Sequence, residues 1–168
     1  MLPADAYART AVVMGLVAGI DQVSKAVVSA QLPRGDRLAL APGLDLTNVG
    51  NTGVAFGVLS GGGPWLVALT FVALALLVAY FVRHATRRLA WLPVGAVMGG
   101  ALGNLVDRAR EGAVIDFIDP VAWPAFNIAD TAIVLGVLGL VVLVESSPRV
   151  RARPVERRPP PWPEPRER

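Results

Sequence analysis

Long apolar runs alternate with short polar segments along most of this chain. Four runs have about the 18 residues needed to cross a hydrocarbon core about 30 Å thick. They lie at about residues 10–30, 64–82, 89–106 and 128–144. The pattern therefore predicts a mainly α-helical integral membrane protein with four transmembrane helices.

The segment at about residues 36–60, which follows the first run, has a different pattern. Short apolar stretches are separated there by turn-forming pairs such as Pro42-Gly43 and Gly50-Asn51. Such spacing is typical of short strands joined by turns. We predict a small β element outside the membrane, and a plain loop is the alternative.

Composition agrees with the membrane class, because 54% of the residues are apolar and only 17% are charged. The absence of cysteine excludes disulfides and a thiol nucleophile. The single histidine, His84, has no metal-ligand spacing around it, so we expect neither a metal nor a cofactor. Residues 148–168 are rich in Pro and Arg and predict a disordered tail after a membrane domain at 1–147.

The positions of the arginines predict the orientation in the membrane. One arginine precedes the first run, three lie between the second and third, and seven follow the fourth, whereas the segments on the other side hold four, namely Arg34, Arg37, Arg108 and Arg110. Cytoplasmic flanks carry the excess of Lys and Arg, so both termini should be cytoplasmic and the 31–63 loop external. Because this charge lies on tails and inner loops, we do not expect nucleic-acid binding.

Acidic residues in and beside the last two runs are the main candidates for chemistry. An ionised group near the bilayer centre costs about 2.5–3.5 kcal/mol on insertion scales, so such groups usually pair, line a cavity or react. Asp107, Asp116 and Asp130 are in this position. In the first run, Asp21 and Lys25 are four residues apart on one helix face and predict an ion pair.

Asp116 and Asp130 are 14 residues apart, and the chain between them contains Asp119-Pro120 and Trp123-Pro124. A hairpin here can bring the two carboxylates together, so that one holds a proton while the other is ionised. That arrangement can activate water for peptide hydrolysis. It could equally coordinate a cation or relay protons in a small transporter, and a non-enzymatic membrane scaffold is a third possibility.

Five short motifs follow one another along the predicted helices and loops. They are Asp21-Gln22-Val23-Ser24-Lys25, Asn51-Thr52-Gly53-Val54-Ala55-Phe56-Gly57, Gly99 to Arg108, Val114-Ile115-Asp116-Phe117 and Phe126-Asn127-Ile128-Ala129-Asp130. Together they closely resemble the bacterial lipoprotein signal peptidase family, also called signal peptidase II. The resemblance covers about residues 10–145.

This resemblance implies an aspartic endopeptidase of the bacterial plasma membrane. Such an enzyme removes signal peptides from diacylglyceryl-modified prolipoproteins, cleaving before the lipidated cysteine. The implied fold is four transmembrane helices with an external β-cradle and a short external helix or flap between helices 3 and 4. The implied partners are lipidated prolipoproteins and membrane lipid, and we expect a monomer.

The resemblance also implies roles for individual residues. Asp116 and Asp130 match the family's catalytic pair. The residues that match substrate-binding or supporting positions are Asp21, Lys25, Asn51, Gly53, Asn104, Asp107, Arg108, Asn127 and Ala129.

Overall fold

A computed structural model of the chain describes residues 3–53, 72–73, 75–77, 79–80 and 89–145. The described elements, in chain order, are α1 (Pro3–Gln31), β1 (Arg37–Ala41), β2 (Leu44–Asn51), α2 (Trp91–Glu111), β3 (Val114–Pro120) and α3 (Ile128–Glu145). The described residues between 72 and 80 are also helical. The predicted second span lies mostly outside the described residues, and the predicted tail lies entirely outside them.

The three helices correspond to the first, third and fourth apolar runs. The second of them, α2, continues past the apolar run at 89–106 and ends at Glu111. It stops there because Gly112 takes the left-handed conformation with φ of 71°, and its N–H bonds the carbonyl oxygen of Arg108 at 3.1 Å. A glycine in this position is a common helix C-terminal signal.

Two of the described helices are long and apolar enough to cross a membrane, namely Ala4–Gln31 and Ile128–Glu145. Most of their large apolar side chains are exposed, for example Leu16 at 59% and Leu135 at 62%. Side chains of this type contact lipid in a membrane helix, whereas in water they would form an unusually large apolar surface. Four transmembrane helices remain a prediction.

Close contacts at glycines show the directions in which α1 and α2 run. A Cβ atom on Gly95 would lie 2.8 Å from Val13, and one on Gly103 would lie 2.5 Å from Asp21. Contacts therefore advance along both helices in the same direction, so α1 and α2 are parallel. Both run toward the sheet, because β1 follows α1 and β3 follows α2.

The third helix, α3, runs back along α2 in the opposite direction. Gly100 of α2 packs against the carbonyl of Ala129, at the start of α3. Gly136, further along α3, packs against the carbonyl of Pro93 near the start of α2. The sheet, the end of α2 and the start of α3 therefore meet at one end of the bundle.

The strands form an antiparallel three-stranded sheet in the order β1-β2-β3. Of the β element predicted at 36–60, β1 and β2 are formed, Gly43 in the turn between them has φ of 83°, and residues 54–60 lie outside the described residues. The turn predicted at Gly50-Asn51 is wrong, since both residues belong to β2 and pair with β3. The third strand, β3, was not predicted. It carries Asp116, which therefore lies on a strand of the sheet rather than in a loop between two helices.

The segment between β3 and α3 contains turns and an isolated bridge from Phe126 to Ile118. The resemblance implied a short external helix or a flap for this segment, and no helix is formed there. Pro120 and Pro124 explain this, since each lacks a backbone N–H and each disfavours helical conformation in the residue before it.

Candidate active site

Asp116 is buried on β3, with 2% of its surface exposed. Its Oδ2 accepts a hydrogen bond from Nδ2 of Asn51 at 2.9 Å, and its Oδ1 accepts one from Nδ2 of Asn127 at 2.7 Å. Asn51 ends β2, and its partner in the register is Val114, two residues before Asp116. Residues two apart on a strand face the same side, so Asn51 and Asp116 are diagonal neighbours on one face of the sheet.

A β-bulge sets this arrangement. The register passes from Leu46 opposite Ile118 to Val49 opposite Asp116, so Thr47 and Asn48 together face one residue of β3. Bulges bend a strand and re-aim its side chains, often beside active sites. Asn48 is buried, and its side chain holds the bulge by donating to the carbonyl of Leu32 at 2.8 Å.

Asp130 lies in the first turn of α3 and is half-buried. Asn127, the residue before the helix, accepts a hydrogen bond on its Oδ1 from the N–H of Asp130 at 2.9 Å. In return, Oδ2 of Asp130 accepts from the N–H of Asn127 at 3.3 Å. This reciprocal pair is a capping box, which satisfies two backbone donors at the start of the helix and fixes the carboxylate.

Asn104 of α2 supplies the other contact to Asp130, donating from Nδ2 to Oδ1 at 2.8 Å. Its Oδ1 accepts from Nδ2 of Asn127 at 3.2 Å and from Nζ of Lys25 at 3.0 Å. The two asparagines therefore link Asp116, Asp130 and α1 in one hydrogen-bonded network.

A buried ion cluster lies next to this network. Nζ of Lys25 is 2.7 Å from Oδ2 of Asp21 and 2.6 Å from Oδ2 of Asp107. The predicted Asp21–Lys25 ion pair is thus confirmed, and Asp107 is a second partner. Oδ1 of Asp21 also accepts from the N–H of Ala129 at 2.9 Å, which ties α1 to the residue before Asp130.

Gly53 and Arg108 close one side of the site. Nη2 of Arg108 is 3.4 Å from the carbonyl oxygen of Gly53, and its Nη1 is 3.5 Å from that of Asn104. The N–H of Gly53 in turn donates to Oδ1 of Asn51 at 2.9 Å. Arg108 therefore connects the end of α2 to the chain leaving β2.

Gln22 also contributes to the site, although it was not among the predicted site residues. Its Nε2 donates to Oδ1 of Asp107 at 2.7 Å and to the carbonyl oxygen of Gly103 at 3.1 Å. Its spacing of three residues from Lys25 places both on one helix face and was the signal available in the sequence.

Burial raises the pKa of Asp116 to about 6, because the charged form loses its contact with water. The negative charge of Asp130 adds to the increase, whereas the amide donors of Asn51 and Asn127 and the charge of Lys25 reduce it. A carboxyl group with a pKa of about 6 beside a second carboxyl group is suited to acid–base chemistry. Among the described residues no group of three or more His, Cys, Asp or Glu side chains is arranged to hold a metal ion.

Comparison with known proteins identifies the family. The model of the family described as signal peptidase (SPase) II matches residues 13–145. The chain belongs to the signal peptidase II family. The lipoprotein signal peptidase of Syntrophomonas wolfei subsp. wolfei is 46% identical over 131 residues, covering 77% of this chain and 87% of that protein. That of Syntrophus aciditrophicus is 41% identical over 139 residues, covering 76% and 86%.

Two solved structures have a similar fold, and both are described as bacterial membrane enzymes. The first superposes with a TM-score of 0.76 at 30% identity, covering 88% of this chain and 94% of that one. The second has a TM-score of 0.74, also at 30% identity, and covers 82% and 93%. The mainly helical fold with a small antiparallel sheet is therefore that of a membrane enzyme.

In this member of the signal peptidase II family, the structure brings all eleven predicted site residues to one end of the bundle. Two are the acids of the pair. The other nine form the contacts described above and are Asp21, Lys25, Asn51, Gly53, Asn104, Asp107, Arg108, Asn127 and Ala129.

Proposed function

We propose that this chain is a membrane-embedded aspartic endopeptidase that removes signal peptides from prolipoproteins, with Asp116 and Asp130 as its catalytic pair. The observation that carries the proposal is the placement of these two carboxylates. They share Asn127 as a hydrogen-bond partner at the sheet end of an apolar helix bundle. The pKa of Asp116, raised to about 6, supports it, because this carboxyl group can then take up and give up a proton near neutral pH.

In this mechanism the ionised aspartate takes a proton from water, which attacks the scissile carbonyl carbon. The protonated aspartate donates to the carbonyl oxygen, and no covalent enzyme intermediate forms. Asn51 and Arg108 contact the chain at Gly53, beside the pair. They are placed to hold the substrate backbone.

The proposed substrate carries a diacylglyceryl group on the cysteine that follows the cleaved bond. The exposed apolar faces of α1 and α3 would lie in lipid, so the acyl chains can stay in the bilayer while the signal peptide reaches the acids. Recognition of the lipid would explain why cleavage occurs before a modified cysteine. Membrane lipid is then part of the recognised substrate.

The proposed location is the bacterial inner membrane, with four transmembrane helices and both termini in the cytoplasm. The parallel course of α1 and α2 supports this arrangement. Asn51 lies at the sheet end and Trp91 at the opposite end, which agrees with the predicted further crossing between them. The site then faces the outer side, and 1–147 forms a single domain that acts as a monomer.

The experiment that tests this function uses the full chain in liposomes with one prolipoprotein in two forms. We expect release of the signal peptide from the diacylglyceryl-modified precursor and at least about tenfold slower release from the unmodified one, since the lipid supplies binding energy. Equal cleavage of both forms would contradict the lipid requirement. Cleavage of neither would overturn the peptidase function.

A further inference from the structure

The two acids of the site differ in the donors that reach them, and this difference extends to α1. Asp130 accepts a hydrogen bond from the side chain of Asn104, and Oδ1 of Asn104 in turn accepts one from the Lys25 ammonium. Asp116 receives two carboxamide donors, from Asn51 and Asn127, and no ammonium or guanidinium lies within ion-pair distance of it among the described residues. Lys25 is thus linked to Asp130 by hydrogen bonds through the side chain of Asn104.

We propose that Lys25, acting through Asn104, holds Asp130 as the negatively charged member of the pair, so that Asp130 is the base and Asp116 carries the proton. This inference rests on the proposed function and assigns the roles within its catalytic pair. Lys25 and Asn104 are positioning residues here, because they act on Asp130 rather than on the substrate.

The charged groups next to the pair favour a proton on one of its two acids. Two cations, Lys25 and Arg108, lie among four carboxylates, which are those of Asp21, Asp107, Asp116 and Asp130. Lys25 is already paired with Asp21 and Asp107, at 2.7 and 2.6 Å. Burying a further carboxylate without a paired cation is costly, so within the pair the proton belongs on the acid that is more buried and has no linked cation.

Asp116 meets both conditions, since it is 2% exposed and bonded by amides alone. The charged groups that act on it are Asp130 of α3 and Lys25 of α1. Burial raises its pKa to about 6, in agreement with this assignment.

Asp130 has the surroundings of an anion. It is half-buried and lies in the first turn of α3, where the positive end of the helix dipole favours negative charge. The N–H of Asn127 and the carboxamide of Asn104 both donate to it. The Lys25 ammonium donates to Oδ1 of Asn104, which polarises the side-chain amide and makes its NH₂ group a stronger donor to Asp130.

As amide donors, Asn51 and Asn127 lower the pKa of Asp116, and burial outweighs them. Their orientation determines where a proton on Asp116 can be donated. Oδ1 of Asn51 accepts from the N–H of Gly53, and Oδ1 of Asn127 accepts from the N–H of Asp130. Each asparagine is therefore fixed with its NH₂ group toward Asp116. A proton on Asp116 has no acceptor on these two residues and is available to the scissile carbonyl oxygen.

The reaction then balances as follows. The Asp130 carboxylate takes a proton from water, the water oxygen bonds to the carbonyl carbon, and the carbonyl oxygen takes the proton of Asp116. In the second step Asp130 gives its proton to the amide nitrogen as the C–N bond breaks. Asp116 recovers a proton from a hydroxyl group as the C=O bond forms again, and the pair returns to its starting state.

Infrared spectroscopy of the full chain in detergent tests the assignment without a substrate. A protonated carboxylic acid has a C=O stretching band that an ionised carboxylate lacks. We expect wild type to show such a band at about pH 5 and to lose it by about pH 8, on either side of the pKa of Asp116. Exposed Asp and Glu side chains, with pKa values of about 4, add a weak band at pH 5 to every variant. The band should fall to this background in Asp116→Asn and stay above it in Asp130→Asn.

The opposite result, a band lost in Asp130→Asn and kept in Asp116→Asn, would overturn the assignment. A failure of the proposed function is distinguishable from this, because it would appear as absent cleavage with the band still assignable. If either amide variant does not insert, Asp116→Ala and Asp130→Ala provide the same comparison.

The role of Lys25 and Asn104 is tested by Asn104→Leu, with Asn104→Ser as the milder alternative. Without the amide donor, a second carboxylic-acid band should appear at about pH 5 and disappear when Asp130→Asn is added. Thr10→Val is the matched control, since Thr10 is a buried polar residue of α1 that bonds the carbonyl oxygens of Ala6 and Trp91, at the end of the bundle away from the acids. An unchanged spectrum in both Asn104 variants would remove Lys25 and Asn104 from the proposal.

Discussion

At the scale of single residues, the ion cluster around Lys25 is the least replaceable part of the site. Its ammonium is buried and contacts two carboxylates and one carboxamide. Removing one partner of a buried ion pair leaves an uncompensated charge and costs about 3–5 kcal/mol, whereas an exposed pair is worth about 0–1 kcal/mol. The chain offers both kinds for comparison.

We predict that Lys25→Met lowers the melting temperature in detergent by about 10 °C, since about 1 kcal/mol corresponds to about 2–4 °C for a chain of this size. The matched control is Arg34→Met, which removes the exposed ion pair to Glu111. That variant should melt within about 3 °C of wild type. Equal shifts in the two variants would show that the Lys25 cluster is not the stabilising contact described here.

The sequence predicted a large part of this cluster, because the spacing of Asp21 and Lys25 places both on one helix face. It could not show that Asp107 completes the cluster. That contact depends on how α1 packs against α2, and no local pattern contains it. Gln22 was missed for the same reason, since its partners lie on the second helix.

At the scale of elements, the close packing of helices positions the acids. Gly103 allows α2 to approach Asp21 of α1, and Gly100 allows it to approach the backbone of α3 at Ala129. The N–H of Ala129 also donates to Oδ1 of Asp21. The close packing at Gly100 and Gly103 therefore fixes the position of the first turn of α3, where Asp130 lies. Small residues have this use in membrane helices generally.

Gly103→Ala should therefore lower both the melting temperature and the rate of prolipoprotein cleavage, because its Cβ atom would lie 2.5 Å from Oδ2 of Asp21. Overpacking of this kind costs about 1–3 kcal/mol. Gly15→Ala is the matched control, since nothing lies within 4 Å of a Cβ atom there. A Gly103→Ala protein as stable and active as Gly15→Ala would contradict the account of packing.

The elements themselves were predictable to different degrees. Long apolar runs identified α1, α2 and α3, and short apolar stretches on either side of the turn at Pro42-Gly43 identified β1 and β2. The strand β3 was missed, because Val114-Ile115 and Phe117-Ile118 form a short apolar run without alternation. Its strand conformation comes from pairing with β2, which is far away in the sequence.

At the scale of the whole molecule, the sheet and the two acids lie together at one end of the bundle. The C-terminal ends of α1 and α2 and the N-terminal end of α3 also lie there. The opposite end contains the small core of Ala6, Ala90 and Val94, and Arg9 stacks there on Trp91 at 5.7 Å from the ring centre. The orientation as a whole remains a proposal.

The absence of cysteine allows a direct test of this orientation. We predict that a single cysteine in Val121→Cys, which replaces a residue 83% exposed beside the sheet, reacts with a membrane-impermeant thiol reagent in intact cells. A cysteine in Asp5→Cys, at the exposed start of α1, should react only after the cells are opened. The reverse pattern would place the site on the cytoplasmic side.

The central claim is that Asp116 and Asp130 together cleave prolipoproteins, and the most direct test is cleavage of a diacylglyceryl-modified precursor by three amide variants. Asp116→Asn and Asp130→Asn should each lose at least about 10²-fold in rate while inserting as wild type does, because each removes one half of the acid–base pair. Asp119→Asn is the control, since Asp119 lies on the same strand but pairs with Arg37 and should keep nearly full activity. Cleavage near the wild-type rate by either Asp116→Asn or Asp130→Asn would contradict the account.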